Sequence, residues 1–341
     1  MKKLFALILT ALLLAGCTAP AAQNSTEIYE ASFLELFDTL TVLKGSAESE
    51  EAFQETAQFV HDALEHYHRL FDIYRTYEGL NNLKTVNDMA GIGPVEVEQA
   101  IIDLLKDCRS YHELTGGRVN VAMGGVLKLW HEARDQGIND PVNAKLPETA
   151  ALQAAAEHVS IESIIIDEAA STVYISDPHV QLDVGAVAKG WAAQRVAETM
   201  PANMLLSVGG NVCATGPKMT DTPWVIGIQN PEGTETAYLH TLYVTGGSYV
   251  TSGDYQRAYT VEGKSYHHII DPDTLMPSAY WRSVTIVCDD SGLADALSTA
   301  LFVLPREAGQ RLLDKTGAMA IWVDARGNLY YSPGVEEIIR T

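Results

Sequence analysis

Residues 183–191 read Asp-Val-Gly-Ala-Val-Ala-Lys-Gly-Trp. An apolar stretch (Val180, Leu182) runs into this small-residue turn, and a helical pattern with Ala192, Val196 and Ala197 leaves it. A strand that ends in a Gly/Ala turn and opens a helix exposes backbone N–H groups at the helix start. That geometry favours anions such as phosphate, and Lys189 adds a point charge beside it. The bland alternative has Asp183 capping the helix and Lys189 solvated on the surface.

The surrounding pattern predicts an α+β fold. Apolar residues at helical spacing mark a helix over residues 49–73 (Phe53, Ala57, Val60, Leu64, Tyr67, Leu70) and another over 95–114 (Val97, Ile101, Leu104, Leu105, Cys108, Tyr111). Further helices are expected near 149–157, 291–303 and 306–315. Residues 30–44 read as extended, and short strands are expected near 164–166, 173–175, 180–183, 204–208, 224–228, 238–249, 266–270, 283–288, 319–323 and 328–331. Helices flanking short, mostly antiparallel strands suit one α+β domain, with no boundary visible after residue 30.

The N-terminus reads as an address. Lys2 and Lys3 precede the apolar run Leu4–Ala15, which is too short to span a bilayer. Leu14-Ala15-Gly16-Cys17 resembles a bacterial lipobox, which implies cleavage after residue 16 and a lipid on Cys17. The alternative is an ordinary secretory signal or an uncleaved anchor. Residues 1–16 are therefore expected to be a signal peptide, 17–30 a lipidated cysteine with a flexible polar tether, and 31–341 the working domain. The location expected is extracytoplasmic, anchored by lipid to a bacterial membrane. The formal charge of the chain is −21; removing residues 1–16 takes away two lysines and no acid, leaving −23. That balance excludes nucleic acid as a partner and adhesion to anionic lipid by charge. Cys108, Cys213 and Cys288 are widely spaced and odd in number, so they suit small buried apolar positions better than a metal or disulfide framework.

Four segments carry chemistry-bearing side chains. Beside the Asp183–Lys189 turn stands Ser207-Val208-Gly209-Gly210-Asn211, where two glycines permit either a plain hairpin turn or close approach of a ligand. His267-His268-Ile269-Ile270-Asp271-Pro272 offers a histidine poised near neutrality, a candidate general base, although Asp271 suits a simple turn. In Ala294-Asp295-Ala296-Leu297-Ser298-Thr299, the acid and the two hydroxyls share one helix face (i, i+3, i+4) inside an apolar helix. A buried carboxylate needs a partner, and an oxygen-only ligand set suits Mg²⁺; ordinary polarity near a helix N-terminus is the alternative.

These segments, in this order, resemble the ApbE family of FAD:protein FMN transferases. The family's Asp-x5-Lys-Gly corresponds to Asp183–Gly190, its Gly-Gly-Asn to Gly209–Asn211, its His-Ile-Ile-Asp-Pro to His268–Pro272 and its Ala-Asp-Ala-Leu-x-Thr-Ala to Ala294–Ala300. Asp72-Ile73-Tyr74, Asn87–Gly91, Thr115-Gly116-Gly117 and Trp130 fit as well, so the similarity spans roughly residues 33–332. The resemblance implies an ApbE-like (T-fold-like) domain. It implies transfer of FMN from FAD to a threonine hydroxyl of a target protein, with Mg²⁺ on the pyrophosphate and AMP released. It implies metal ligands Asp295, Thr299, Ser298 and the carbonyl of Ala186, with His268 as base. It places Asp183, Lys189, Tyr74, Phe37, Arg118, Val119, Asn120, Gly209, Gly210 and Ile270 around FAD. The chain departs from the family pattern at Leu275, where glycine is usual, at Asn120, where many members carry Asp, and at Phe37-Asp38-Thr39 in place of Met-Gly-Thr. Alternatives are hydrolysis of FAD to FMN and AMP, or a flavin-binding lipoprotein without catalysis.

Overall fold

The computed structural model describes residues 27–219, 221–233 and 237–340. The signal segment, Cys17 and most of the expected tether lie outside them. The frame is an eight-stranded sheet in the spatial order Ile28–Leu36, Thr39–Ser46, Met204–Val208, Asn211–Ala214, Gly247–Gly253, Trp281–Cys288, Met319–Asp324 and Leu329–Tyr331. Every neighbouring pair is antiparallel. Side chains alternate across a strand, so Val250, Ile286 and Trp322 enter one core while their neighbours Tyr249, Val287 and Ile321 enter another. Helices Glu50–Phe71, Ala188–Ala197 and Ser291–Phe302 pack on the first face. The small sheet of Trp224–Gln229, Tyr238–Val244 and Ile339–Arg340 covers the second. With both faces covered, the strand Trp281–Cys288 is buried almost throughout rather than alternating apolar and polar.

Local chemistry sets the helix ends. Ser49 Oγ accepts from Ala52 N–H (3.2 Å) at the start of Glu50–Phe71, with Glu50 and Glu51 in its first turn and His68 and Arg69 in its last. Asp290 Oδ1 caps Ser291–Phe302 by accepting from Leu293 N–H (2.7 Å). That helix is apolar on nearly all sides because sheet and neighbouring helices enclose it.

A third cluster forms a side lobe. Met123, Val126 and Trp130 meet Leu152, Tyr259 and Ile270, joining the helix Gly124–Asn139 to the hairpin Ala258–Val261/Lys264–His267. The residue pattern does not announce this helix. Glycines sit at both its ends, and only Gly124, Val126, Trp130 and Gly137 are buried, so no clear apolar stripe announces it. The glycines are there for contact: a Cβ on Gly137 would lie 2.6 Å from the Tyr259 ring, and one on Gly124 2.5 Å from the Gln181 carbonyl.

Several other expectations shift. The short helix Leu83–Asp88 and the strand Asn211–Ala214 were not foreseen. Residues 180–183 form no strand, only a single bridge from Gln181 to Met123. The stretch 238–249 is two strands with a turn between them. Ile28, Tyr29 and Glu30, assigned to the tether, pair with Ser46, Gly45 and Lys44. Cys108 and Cys213 are buried and all three described cysteines are free, as their spacing suggested.

Trp322 is fully buried, yet its indole N–H has no hydrogen-bond partner. Trp322→Ala is expected to lower stability by about 3–5 kcal/mol through the cavity it leaves. Trp322→Phe removes an unsatisfied donor along with volume and is expected to cost less than half as much. Urea unfolding midpoints check both; equal losses for the two variants would show that packing volume is not what Trp322 contributes.

Candidate functional site

The turn at 183–187 is built from its own atoms. Asp183 Oδ1 accepts from Gly185 N–H (2.9 Å), and Asp183 N–H donates to Val121 O (2.8 Å), which ties the turn to the 118–123 segment. Asp183 is therefore not the helix cap; Val187 holds that place and offers no side-chain bond. The helix start is satisfied from elsewhere. Gly190 N–H donates to Asp295 Oδ2 (2.9 Å), a carboxylate from the Ser291–Phe302 helix, and Lys189 Nζ stands 3.8 Å from the same oxygen. Only glycine fits at 190, since a Cβ there would come within 2.3 Å of the Ser291 carbonyl oxygen and 2.5 Å of Asp295 Cβ.

Around this junction lies a cleft of about 360 Å³ between the helical face and the side lobe. Asp183, Ala186, Lys189, Asp295 and Thr299 line it, together with Phe37, Tyr74, Arg118, Val119, Asn120, Gly209, His268 and Ile270. Residues more than 250 positions apart thus converge on one wall. Two expected members do not reach it. Gly210 (φ +93°) forms the far half of a two-residue hairpin turn with Gly209 (φ +56°), so the hairpin and ligand readings each take one glycine. Ser298 is fully buried; its hydroxyl donates to Asp295 O (2.8 Å) and lies 2.8 Å from Ser252 Oγ. Helical spacing put Ser298 and Thr299 on one face, but that face is split between the sheet strand Gly247–Gly253 and the cleft. Ser252, from that strand, lines the cleft in its place.

The two adjacent histidines separate cleanly. His267 Nε2 donates to Ser278 O (2.7 Å) and its Nδ1 accepts from Ile269 N–H (3.2 Å), so this ring holds the loop. His268 lines the cleft, and its Nδ1 is buried with no hydrogen-bond partner. Burial pushes the His268 imidazole down to about 3, helped by the positive charges of Arg257 and Lys189. It is neutral at physiological pH, and its Nδ1 is uncommitted.

Other walls are held by local bonds. Asn120 Nδ2 donates to Val159 O (2.8 Å) and its Oδ1 accepts from Ala122 N–H (3.0 Å), so this amide is spent on its own loop. Arg118 pairs with Asp271 (3.4 Å) and Asp273, which fixes the turn after His268. Phe37 sits at φ +53°, a strained place for an aromatic residue, held where its N–H donates to His68 Nδ1 (3.1 Å). Tyr74 is 64% exposed at the cleft mouth, with its hydroxyl 3.1 Å from His131 Nδ1. His131, Arg257 and Ser252 were not singled out from the sequence. His131 lies on the unannounced helix, and Arg257 and Ser252 stand in segments without any motif.

The donor set of Asp295, Thr299 and the Ala186 carbonyl is all oxygen, which fits a hard divalent cation such as Mg²⁺. The Thr299 hydroxyl makes no hydrogen bond among the described residues. Burial raises the Asp295 carboxyl against the opposing pull of Lys189, Gly190 N–H and Asn211. A buried carboxylate still raised beside an ammonium has room for more positive charge.

A histidine buried as the neutral form binds its proton more weakly folded than unfolded. Its contribution to stability is then complete above the ordinary value of 6.5 and is lost as pH falls towards about 3. His268→Gln is expected to lose less stability than the parent between pH 7 and pH 5. Denaturation midpoints at the two values check this; identical losses would mean that His268 is not held neutral by burial.

The profile of the ApbE family matches residues 37–322. The FAD:protein FMN transferase of Treponema pallidum is 32% identical over 304 residues, covering 82% of each chain. That of Escherichia coli K12 is 25% identical over 337 residues, 95% of this chain and 93% of the relative. Among solved structures, the ApbE protein of Thermotoga maritima superposes with a TM-score of 0.80 at 28% identity, covering 92% of this chain and all of the other. The flavin transferase ApbE of Vibrio cholerae shares the fold, with a TM-score of 0.76 at 22% identity over 92% and 99% of the two chains. A cleft that gathers the Asp183–Gly190 turn, His268 and the Asp295–Thr299 helix, in a fold matched over nearly its whole length, places the chain in the ApbE family.

Proposed function

We propose that this protein is an FAD:protein FMN transferase that moves FMN from FAD to a threonine hydroxyl of a target protein. The observation that carries the reading is the meeting of Lys189, Asp295, Thr299 and a neutral, unpartnered His268 on one cleft. A protein that only bound flavin would have no need of a base beside a cation site.

The chemistry follows from these positions. The acceptor hydroxyl is too weak a nucleophile unassisted, and the His268 ring takes its proton. The hydroxyl oxygen forms a bond to the phosphorus on the FMN side, while the bond from that phosphorus to the bridging oxygen breaks. AMP leaves with the electron pair, and FMN stays on the target as a phosphoester. Burial first, then the charges of Arg257 and Lys189, holds the imidazole's basicity down; a pyrophosphate would offset the part that the charges contribute. Asp295, Thr299 and the Ala186 carbonyl would hold Mg²⁺, which supplies positive charge to the pyrophosphate and the leaving AMP. The exposed Tyr74 ring and Phe37 offer aromatic faces to the isoalloxazine.

The sequence ending in Cys17 supports a lipid anchor and work outside the cytoplasmic membrane, with a target exposed in the same space. Labelling with palmitate that vanishes in Cys17→Ser would support the anchor; equal labelling in both would remove it.

The deciding assay incubates the protein with FAD, Mg²⁺ and a domain bearing the acceptor threonine. Covalent fluorescent flavin on the domain, with AMP in equal amount, is the expected result. Release of FMN and AMP without labelling would assign a hydrolase instead, and neither product would leave only binding. Asp295→Ala is expected to lower labelling at least 100-fold at limiting Mg²⁺. Unchanged activity there would remove Asp295 from the cation site.

A further inference from the structure

Cationic side chains in the cleft are not alike. Lys189 is committed to Asp295 at 3.8 Å, and Arg118 to Asp271 and Asp273. Arg257 lines the same cleft and has no ion pair and no hydrogen bond among the described residues. The Arg75 side chain is likewise unpaired among the described residues, so in a chain carrying −21 Arg75 and Arg257 are the two cleft cations left without a carboxylate.

The chain on either side of Arg257 is tied down. Asp254 N–H donates to Arg282 O (2.9 Å), and Arg282 Nε donates back to Asp254 Oδ2 (2.9 Å). Arg282 also reaches Glu232 (3.1 Å), and Tyr255 Oη donates to Gln229 Oε1 (3.4 Å). One residue beyond Arg257 begins the hairpin strand Ala258–Val261, anchored through Tyr259 in the side-lobe core. The guanidinium is thus presented from a braced turn. Among the charged groups acting on His268, Arg257 acts most strongly, ahead of Lys189, and its charge also reaches Tyr74 and His131. Ala258 pairs with His267 across the hairpin, so Arg257 and His268 extend from the same end of it, on the side of the cleft where the base works. Arg75, also in the cleft wall, sits on the Asp72 turn beside Tyr74 and is not among the main charges at His268.

We propose that Arg257 is a catalytic residue that grips the transferred phosphoryl group, donating to the non-bridging oxygens of the FMN-side phosphate. The assignment rests on the FMN-transfer reading above. A planar guanidinium suits two phosphate oxygens at once, and its charge answers the negative charge spread over them as the acceptor bond forms and the bond to AMP breaks. Labour in the cleft is then divided. Lys189 and Asp295 serve the leaving side, while Arg257 and His268 serve the phosphorus under attack and the incoming hydroxyl.

The test compares Arg257→Gln and Arg257→Lys with the parent, using FAD, Mg²⁺ and the acceptor domain, and following AMP release with and without the acceptor. Arg257 is exposed and makes no ion pair or hydrogen bond among the described residues, so melting temperatures should be unchanged. Arg257→Gln is expected to lower kcat by roughly 10²–10³-fold, with KM for FAD changed much less. AMP release to water should fall by the same factor, Arg257→Lys should recover part of the rate, and added guanidinium should partly restore Arg257→Gln. Unchanged kcat would overturn the proposal. So would a rise in acceptor KM alone with AMP release to water intact, which would make Arg257 a reader of the target protein. A parent protein that yields neither labelled domain nor AMP would instead sink the transferase reading itself.

Discussion

One buried contact organises the molecule: the carboxylate of Asp295 against the backbone N–H of Gly190. It joins the N-terminus of one helix to the side of another, and both helices lie on the same face of the main sheet. A carboxylate 4% exposed is costly unless it is met by donors or cations. Here the helix N-terminus and Lys189 meet it, and they do so incompletely, which leaves a demand for further positive charge. The same contact forbids any side chain at residue 190 and brings Thr299 and the Ala186 backbone to the cleft wall. Structure and proposed cation site are one arrangement seen from two sides.

Electrostatic contrast does the rest. The chain as a whole is strongly acidic, yet the cleft collects Lys189, Arg75, Arg118 and Arg257. Carboxylates neutralise Lys189 and Arg118 and leave Arg75 and Arg257 unspent. Burial, helped by this surplus positive charge, keeps His268 neutral, and the charge is the complement of a pyrophosphate. Two adjacent histidines with the same chemistry receive different duties because one has both ring nitrogens bonded to backbone and the other has an unpartnered nitrogen.

Much of the frame was legible from periodicity. Helix Glu50–Phe71 buries Phe53, Ala57, Val60 and Leu64 at the spacing that announced it, and the antiparallel strands of the second half fall close to where β-branched runs placed them. Gly124–Asn139 escaped because its glycines serve tight contacts with Tyr259 and Gln181 rather than signalling a turn. Residues 180–183 misled because apolar side chains can be buried in a loop as well as in a strand.

For the site, the sequence by itself determined the chemistry: a turn with Asp183 and Lys189, a histidine, and an acid with hydroxyls on an apolar helix. Those types are read directly because a buried carboxylate or a small-residue turn has few structural uses. Tertiary structure decided which of them share a cleft, and it alone removed Ser298 and Gly210 while admitting Ser252, His131 and Arg257. The reason is geometric. Spacing along a helix fixes a face only to within a broad arc, and whether that arc meets a sheet or a cavity depends on how elements far apart in the chain pack together.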